Sequence, residues 1–66
     1  MDEREVWRAA GLLVRRHGSR APEKAEKRAD GDFDRDDAEG WAAWTRIAKA
    51  AVALLKRRPD RGERVN

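Results

Sequence analysis

A chain of 66 residues without Cys has room for one small domain, and it excludes a disulfide framework, a zinc–thiolate site and a cysteine nucleophile. Charged residues make up 44% of it and the formal net charge is +3, but residues 30–39 carry six carboxylates against one Arg, a local balance of −5 that leaves +8 on the remainder. This is an acidic belt on a basic protein, and its apolar residues recur too regularly for a disordered chain.

The N-terminal MDEREVW lacks the apolar segment of a signal peptide, and uncharged runs such as residues 50–55 are far too short to span a membrane. The expectation is a cytoplasmic protein without membrane contact.

In the first segment Val6, Ala10, Leu13 and His17 follow helical spacing, with Trp7 and Val14 alongside, which predicts a helix over about residues 3–17. Asp2, Glu3 and Glu5 at its start and Arg15 and Arg16 at its end match the helix dipole. Gly18 suits the position after the helix, where positive φ is cheap. Gly11 costs about 1 kcal/mol relative to Ala and marks a candidate for close helix contact.

Pro22 suits a first helical turn, and Ala21, Ala25, Ala29 and Phe33 step by four along one face, predicting a second helix over about 22–34. Its end is weak. Gly31 interrupts it, and Asp30, Asp32 and Asp34 sit where the dipole disfavours anions, so fraying is expected.

Asp36 with Glu39 three residues later reads as a capping box. Behind it Trp41, Trp44, Ala48, Ala51 and Leu55 share a stripe, flanked by Ile47 and Leu54, and Lys56, Arg57, Arg58 and Pro59 form a stop. A third helix is predicted over about 37–58. The expected fold class is all-α, a small three-helix bundle running up-down-up over residues 1–58, with a disordered basic tail over 59–66. That arrangement would gather Trp7, Phe33, Trp41 and Trp44 at one end.

The alternation Asp30, Asp32, Asp34 invites a calcium reading, but counting from Asp30 puts Arg35 and Trp41 where an EF-hand loop needs Gly and Glu. Asp30, Asp32, Asp34 and Glu39 are also similar to the DxDxDGxxCE loop of the Excalibur calcium-binding domain, with Arg35 and Ala38 in place of its Gly and Cys. The patch of Asp30, Asp32, Asp34, Asp36, Asp37 and Glu39 therefore reads as a polar helix end and cap, with no metal and no cofactor. The lone His17 reads as a helix end favourable to the dipole. The hydroxyls Ser19 and Thr45 sit in no nucleophile motif, and there is no phosphate loop, so no catalysis is expected. Lys56, Arg57, Arg58, Arg61 and Arg64 could touch phosphates, but no aromatic is interleaved with them and the acidic belt opposes a nucleic-acid backbone, so any such binding is expected to be weak.

The run from Val6 to Leu55 resembles a group of short helical alphaproteobacterial proteins of unknown function. Their pattern has an aromatic near the start, then LxxxHGxxA, RAD and GDxxGxxxWxRIxxAxxxL. Trp7, His17, Gly18, Ala21, Arg28, Ala29, Asp30, Asp37, Gly40, Trp44, Arg46, Ile47 and Leu54 match it. Asp32 and Phe33 replace a hydrophobic pair, and Asp36 replaces the Gly before Asp37. The resemblance implies a second helix running through Asp30 and brings no activity. Arg28 and Arg46 stand among apolar positions and are candidates to pair with Asp30 or Asp37.

The functional expectation is a small non-catalytic protein-interaction or regulatory module that self-associates as a homodimer along the first and third helices. Trp7, Leu12, Trp41, Trp44, Val52 and Leu55 would form its interface, since a single small core supplies only about 3–5 kcal/mol. Two alternatives are a nucleic-acid-associated regulator using basic termini, and a phage-type or mobile-element inhibitor presenting the acidic patch to a host protein.

Overall fold

The computed structural model describes residues 2–57, and every secondary-structure element in that range is helical. Three α-helices follow one another: α1 Glu3–His17, α2 Ala21–Asp34 and α3 Ala38–Arg57, with a single 3₁₀ turn, Gly18–Arg20, between the first two. The expected tail 59–66, with the stop at Pro59 and the basic residues Arg58, Arg61 and Arg64, lies outside the described residues.

α1 begins because Asp2 caps it. The Asp2 carboxylate accepts from the backbone N–H of Arg4 at 2.8 Å and of Glu5 at 3.3 Å, satisfying two otherwise orphaned donors. It ends at Gly18, whose φ of 59° reverses the chain while its N–H returns to the Val14 carbonyl. The 3₁₀ turn that follows was not legible in the sequence. Gly11 is not a point of close helix contact: a Cβ added there would meet nothing within 4 Å.

Where the sequence predicts fraying, α2 continues to Asp34 and joins α3 through a closed hydrogen-bonded motif. The Asp37 N–H donates to the Asp32 carbonyl at 2.8 Å and the Asp36 N–H to the Phe33 carbonyl at 3.0 Å. These are the two bonds of a Schellman motif, and Asp36, with φ of 62°, takes the left-handed position within it. The cap of α3 is one residue later than the capping box suggested. Asp37 accepts from the Gly40 N–H at 3.0 Å, while Asp36 is committed to the turn. Left-handed geometry at one residue displaces the capping role to its neighbour, since a cap residue has extended backbone.

The core is made mostly of alanine. Seven of its ten buried apolar residues are Ala, joined by Val6, Val14 and Ile47, and Ile47 is the largest residue buried completely. Ala21, Ala25 and Ala29 are the buried face of α2, as the four-residue step predicted. Because alanine projects so little, α2 lies close on α3, its principal neighbour, and runs antiparallel to it from the turn. α1 also packs on α3 and meets α2 less extensively.

α1 crosses α3 rather than running in step with it. Trp7 borders a groove with Lys49, Ala50 and Ala53, whereas Ala9, Leu13 and Arg16, on the other flank of α1, border a groove with Trp44. The four aromatics are consequently not gathered at one end. Phe33 meets Trp41 edge-on with ring centres 6.3 Å apart, Trp44 lies beneath Arg28, and Trp7 stands alone against the later turns of α3.

Left-handed geometry costs a non-glycine residue roughly 1–2 kcal/mol, with Asp at the tolerant end. Asp36→Gly is therefore expected to stabilise the fold by about 0.5–1 kcal/mol, read as a higher denaturation midpoint in dilute solution. A neutral or destabilising result would mean that the Asp36 side chain, rather than its backbone, holds the turn.

Candidate functional site

The candidate site is the junction of α2 and α3, where the acidic stretch and two aromatics meet. Its six carboxylates do not converge. Asp32 is buried at 5% exposure, while Asp30, Asp34, Asp36, Asp37 and Glu39 are exposed. Asp32 projects into the helix seam and forms an ion pair with Arg35, Asp37 caps α3, and Asp36 makes the turn. The alternating spacing that suggested a loop of ligands is helical here, so successive carboxylates point in different directions. Among the described residues no three His, Asp or Glu side chains are grouped so as to hold a metal ion.

Asp32 is tied to α3 through Gly40. A Cβ added at Gly40 would collide with the Asp32 carboxylate and approach the Asp37 Oδ2 to 2.7 Å. The missing side chain at Gly40 is what lets a buried carboxylate lie against the first turn of α3. There the unpaired N–H groups of the helix start and the positive end of its dipole favour negative charge. Arg35, largely exposed, neutralises the same carboxylate from the solvent side. Among the described residues no buried side-chain polar atom lacks a partner.

The two cations singled out among apolar positions do not pair with Asp30 or Asp37. Arg28 lies over the Trp44 ring, 4.9 Å from its centre, a cation–π contact that covers half-buried indole with guanidinium. Arg46 reaches across to Glu3 at 3.1 Å, linking α3 to the start of α1. Both partners of that pair are more than half exposed, so its contribution is small. Glu3 also accepts from the Trp7 indole N–H at 3.3 Å, which fixes the ring that borders the Lys49–Ala53 groove.

The apolar side chains expected at an interface divide by exposure. Leu12 is 57% exposed, Trp41 42%, Val52 41% and Trp7 37%, whereas Trp44 and Leu55 are half-buried against the core. Phe33, which the sequence pattern grouped with the three Trp at one end of the bundle, is the most exposed of these at 67%. It continues the alanine face of α2, but the helix ends one residue later and α3 offers it only the edge of Trp41. His17 sits at the end of α1 as its pattern indicated, and the junction holds neither of the hydroxyl residues Ser19 and Thr45. Lys56 and Arg57 occupy the last turn of α3. No helix among the described residues is long and apolar enough to cross a membrane.

No protein-family model matches the chain, and no curated protein or solved structure matches it either.

Gly40→Ala is expected to destabilise the protein by about 1–3 kcal/mol through overpacking, although Ala is the better helix former. In an Asp32→Ala background the same substitution should be neutral or stabilising, because the colliding carboxylate is gone. A double-mutant cycle in urea measures this coupling, and additive effects would show that Asp32 and Gly40 do not touch. Millimolar calcium should leave the melting temperature unchanged and give no heat in titration calorimetry. A saturable rise in stability, lost in Asp32→Ala, would restore the metal reading.

Proposed function

We propose that this protein is a small non-catalytic interaction module, a three-helix bundle that acts by associating with itself and through that assembly with other proteins. The observation that carries this reading is the mismatch between an alanine core and the large apolar side chains left outside it. Phe33, Leu12, Trp41, Val52 and Trp7 are all exposed, while the interior holds one fully buried residue as large as Ile. Full burial of a large apolar side chain is worth roughly 1.5–3 kcal/mol, so covering several of them matters to a fold whose own core is this small. Scattered exposed hydrophobics are ordinary on a protein surface, but here they exceed in size what the core contains.

The non-catalytic part of the proposal is supported by the sequence, which offers no nucleophile motif and a single His at a helix end. The resemblance to short alphaproteobacterial proteins is compatible with it and adds no activity. Cytoplasmic residence is part of the same proposal and is supported by a highly charged composition without Cys.

Sedimentation equilibrium at tens of micromolar protein is expected to give twice the chain mass, with dissociation on dilution. Val52→Glu should shift the molecule to monomer and make its melting temperature independent of concentration. A single-chain mass at every concentration, with Val52→Glu harmless, would refute self-association.

A further inference from the structure

Trp41, Thr45, Ala48, Val52 and Leu55 recur along α3 in alternating steps of four and three, the spacing of a heptad seam. The seam is only partly covered within the molecule. Ala48 is buried and Thr45 and Leu55 are half-buried, but Trp41 and Val52 remain exposed at 42% and 41%. Phe33 extends the apolar strip beyond Trp41, against which its ring is packed. The strip is therefore high at both ends and low in the middle.

Charge is distributed along it with opposite signs. At the Trp41 end stand Asp34, Asp36 and Asp37, all exposed, and at the Val52 end stand Lys49, Lys56 and Arg57, also exposed. A surface with acid at one end and base at the other complements a second copy of itself laid head to tail. A two-fold axis produces that arrangement in a closed pair, with identical patches meeting.

We propose that α3 pairs with α3 of a second copy in antiparallel orientation, with the two-fold axis between positions 46 and 47. This deepens the self-association reading and rests on it. In this register Trp41 lies against Val52 of the second copy, and the two Thr45 side chains approach each other at the centre, above the buried Ala48. The same register brings the Asp37 end of each copy level with Lys56 of the other. Charge selects it. Sliding the helices by one turn in the direction that brings Trp41 over Ala48 puts Val52 against the Asp37 carboxylate, and sliding them the other way puts Trp41 against the Lys56 ammonium. Leu12 and the Arg15–Arg16 groove stay outside this interface, because Leu12 borders Trp44 on the α1 side of α3. Exposed ion pairs add little affinity but set orientation, and they are screened by salt.

The absence of native Cys makes the geometry directly testable by oxidation of single-cysteine variants. Thr45 would lie near the axis, about 4.5 Å along the helix from its own copy at a 1.5 Å rise per residue. Val52 would lie about 16 Å from its own copy. Under mild oxidation at a concentration where the unmodified protein sediments as a dimer, Thr45→Cys is expected to form a covalent dimer rapidly, while Val52→Cys and Leu12→Cys remain largely uncoupled. Trp41→Cys mixed with Val52→Cys should yield the mixed dimer in preference to either self-coupled one. In addition, Lys56→Glu should raise the dissociation constant several-fold at low salt, with the difference shrinking at high salt. Equal self-coupling of Thr45→Cys and Val52→Cys would indicate parallel helices and overturn the proposal. So would coupling through Leu12→Cys alone, which would place the interface on α1. If the unmodified chain is monomeric at every concentration, the self-association reading itself fails, a result distinguishable from a dimer of different geometry.

Discussion

Close approach of α2 to α3 through small side chains is the constraint from which the remaining features follow. Ala21, Ala25 and Ala29 present almost no projection, so α2 settles against α3 with little space for larger groups. The seam holds together at its closed end because Gly40 accommodates the Asp32 carboxylate and Asp37 caps the helix just beside it. A core built this way gains dispersion contacts from proximity but removes little apolar area from water. Large side chains are displaced to the margins: Phe33 to the open end of the α2 stripe, Trp41 and Val52 to the exposed face of α3, and Trp7 and Leu12 to the flanks of α1.

The acidic belt takes on a structural meaning in this setting. Carboxylates at the end of a helix oppose its dipole, and an isolated α2 would fray there. In the folded chain they stand at the start of α3 as much as at the end of α2. The dipole of the second helix favours what the first disfavours, and the Schellman bonds from Asp36 and Asp37 satisfy the last carbonyls of α2. One stretch of negative charge thereby serves a helix start, a turn and an ion pair between buried Asp32 and exposed Arg35. The exposed carboxylates that remain give the Trp41 end of α3 its sign, and Lys49, Lys56 and Arg57 give the other end the opposite one.

Cations play a comparable part in shielding aromatic surface. Arg28 over Trp44 covers an indole that the alanine face of α2 is too short to cover. Arg46 and Glu3 bridge the crossing of α1 and α3, with Glu3 also holding the Trp7 indole. Neither contact is strong in water. Both show how long side chains close gaps that a core of small residues leaves open.

The amino-acid sequence by itself determined the helices. Local signals did so: the three-to-four spacing of apolar residues, Gly18 after α1, Pro22 in the first turn of α2, and the dipole-matched charges at both ends of α1. It also marked the acidic stretch as a helix junction rather than a calcium loop, since Arg35 and Trp41 occupy positions a loop cannot give up. The tertiary structure decided everything that depends on two elements at once. Whether Asp36 or Asp37 caps α3 turned on the left-handed backbone of the closed turn. The partners of Arg28 and Arg46 turned on which helix each side chain reached, a distance that sequence separation does not encode. The exposure of Phe33 and the isolation of Trp7 followed from the angle at which α1 crosses α3 and from the length of α2. Helical periodicity reports which face of one helix is apolar, but only the packing of alanine against alanine fixed how much of that face its neighbours could cover.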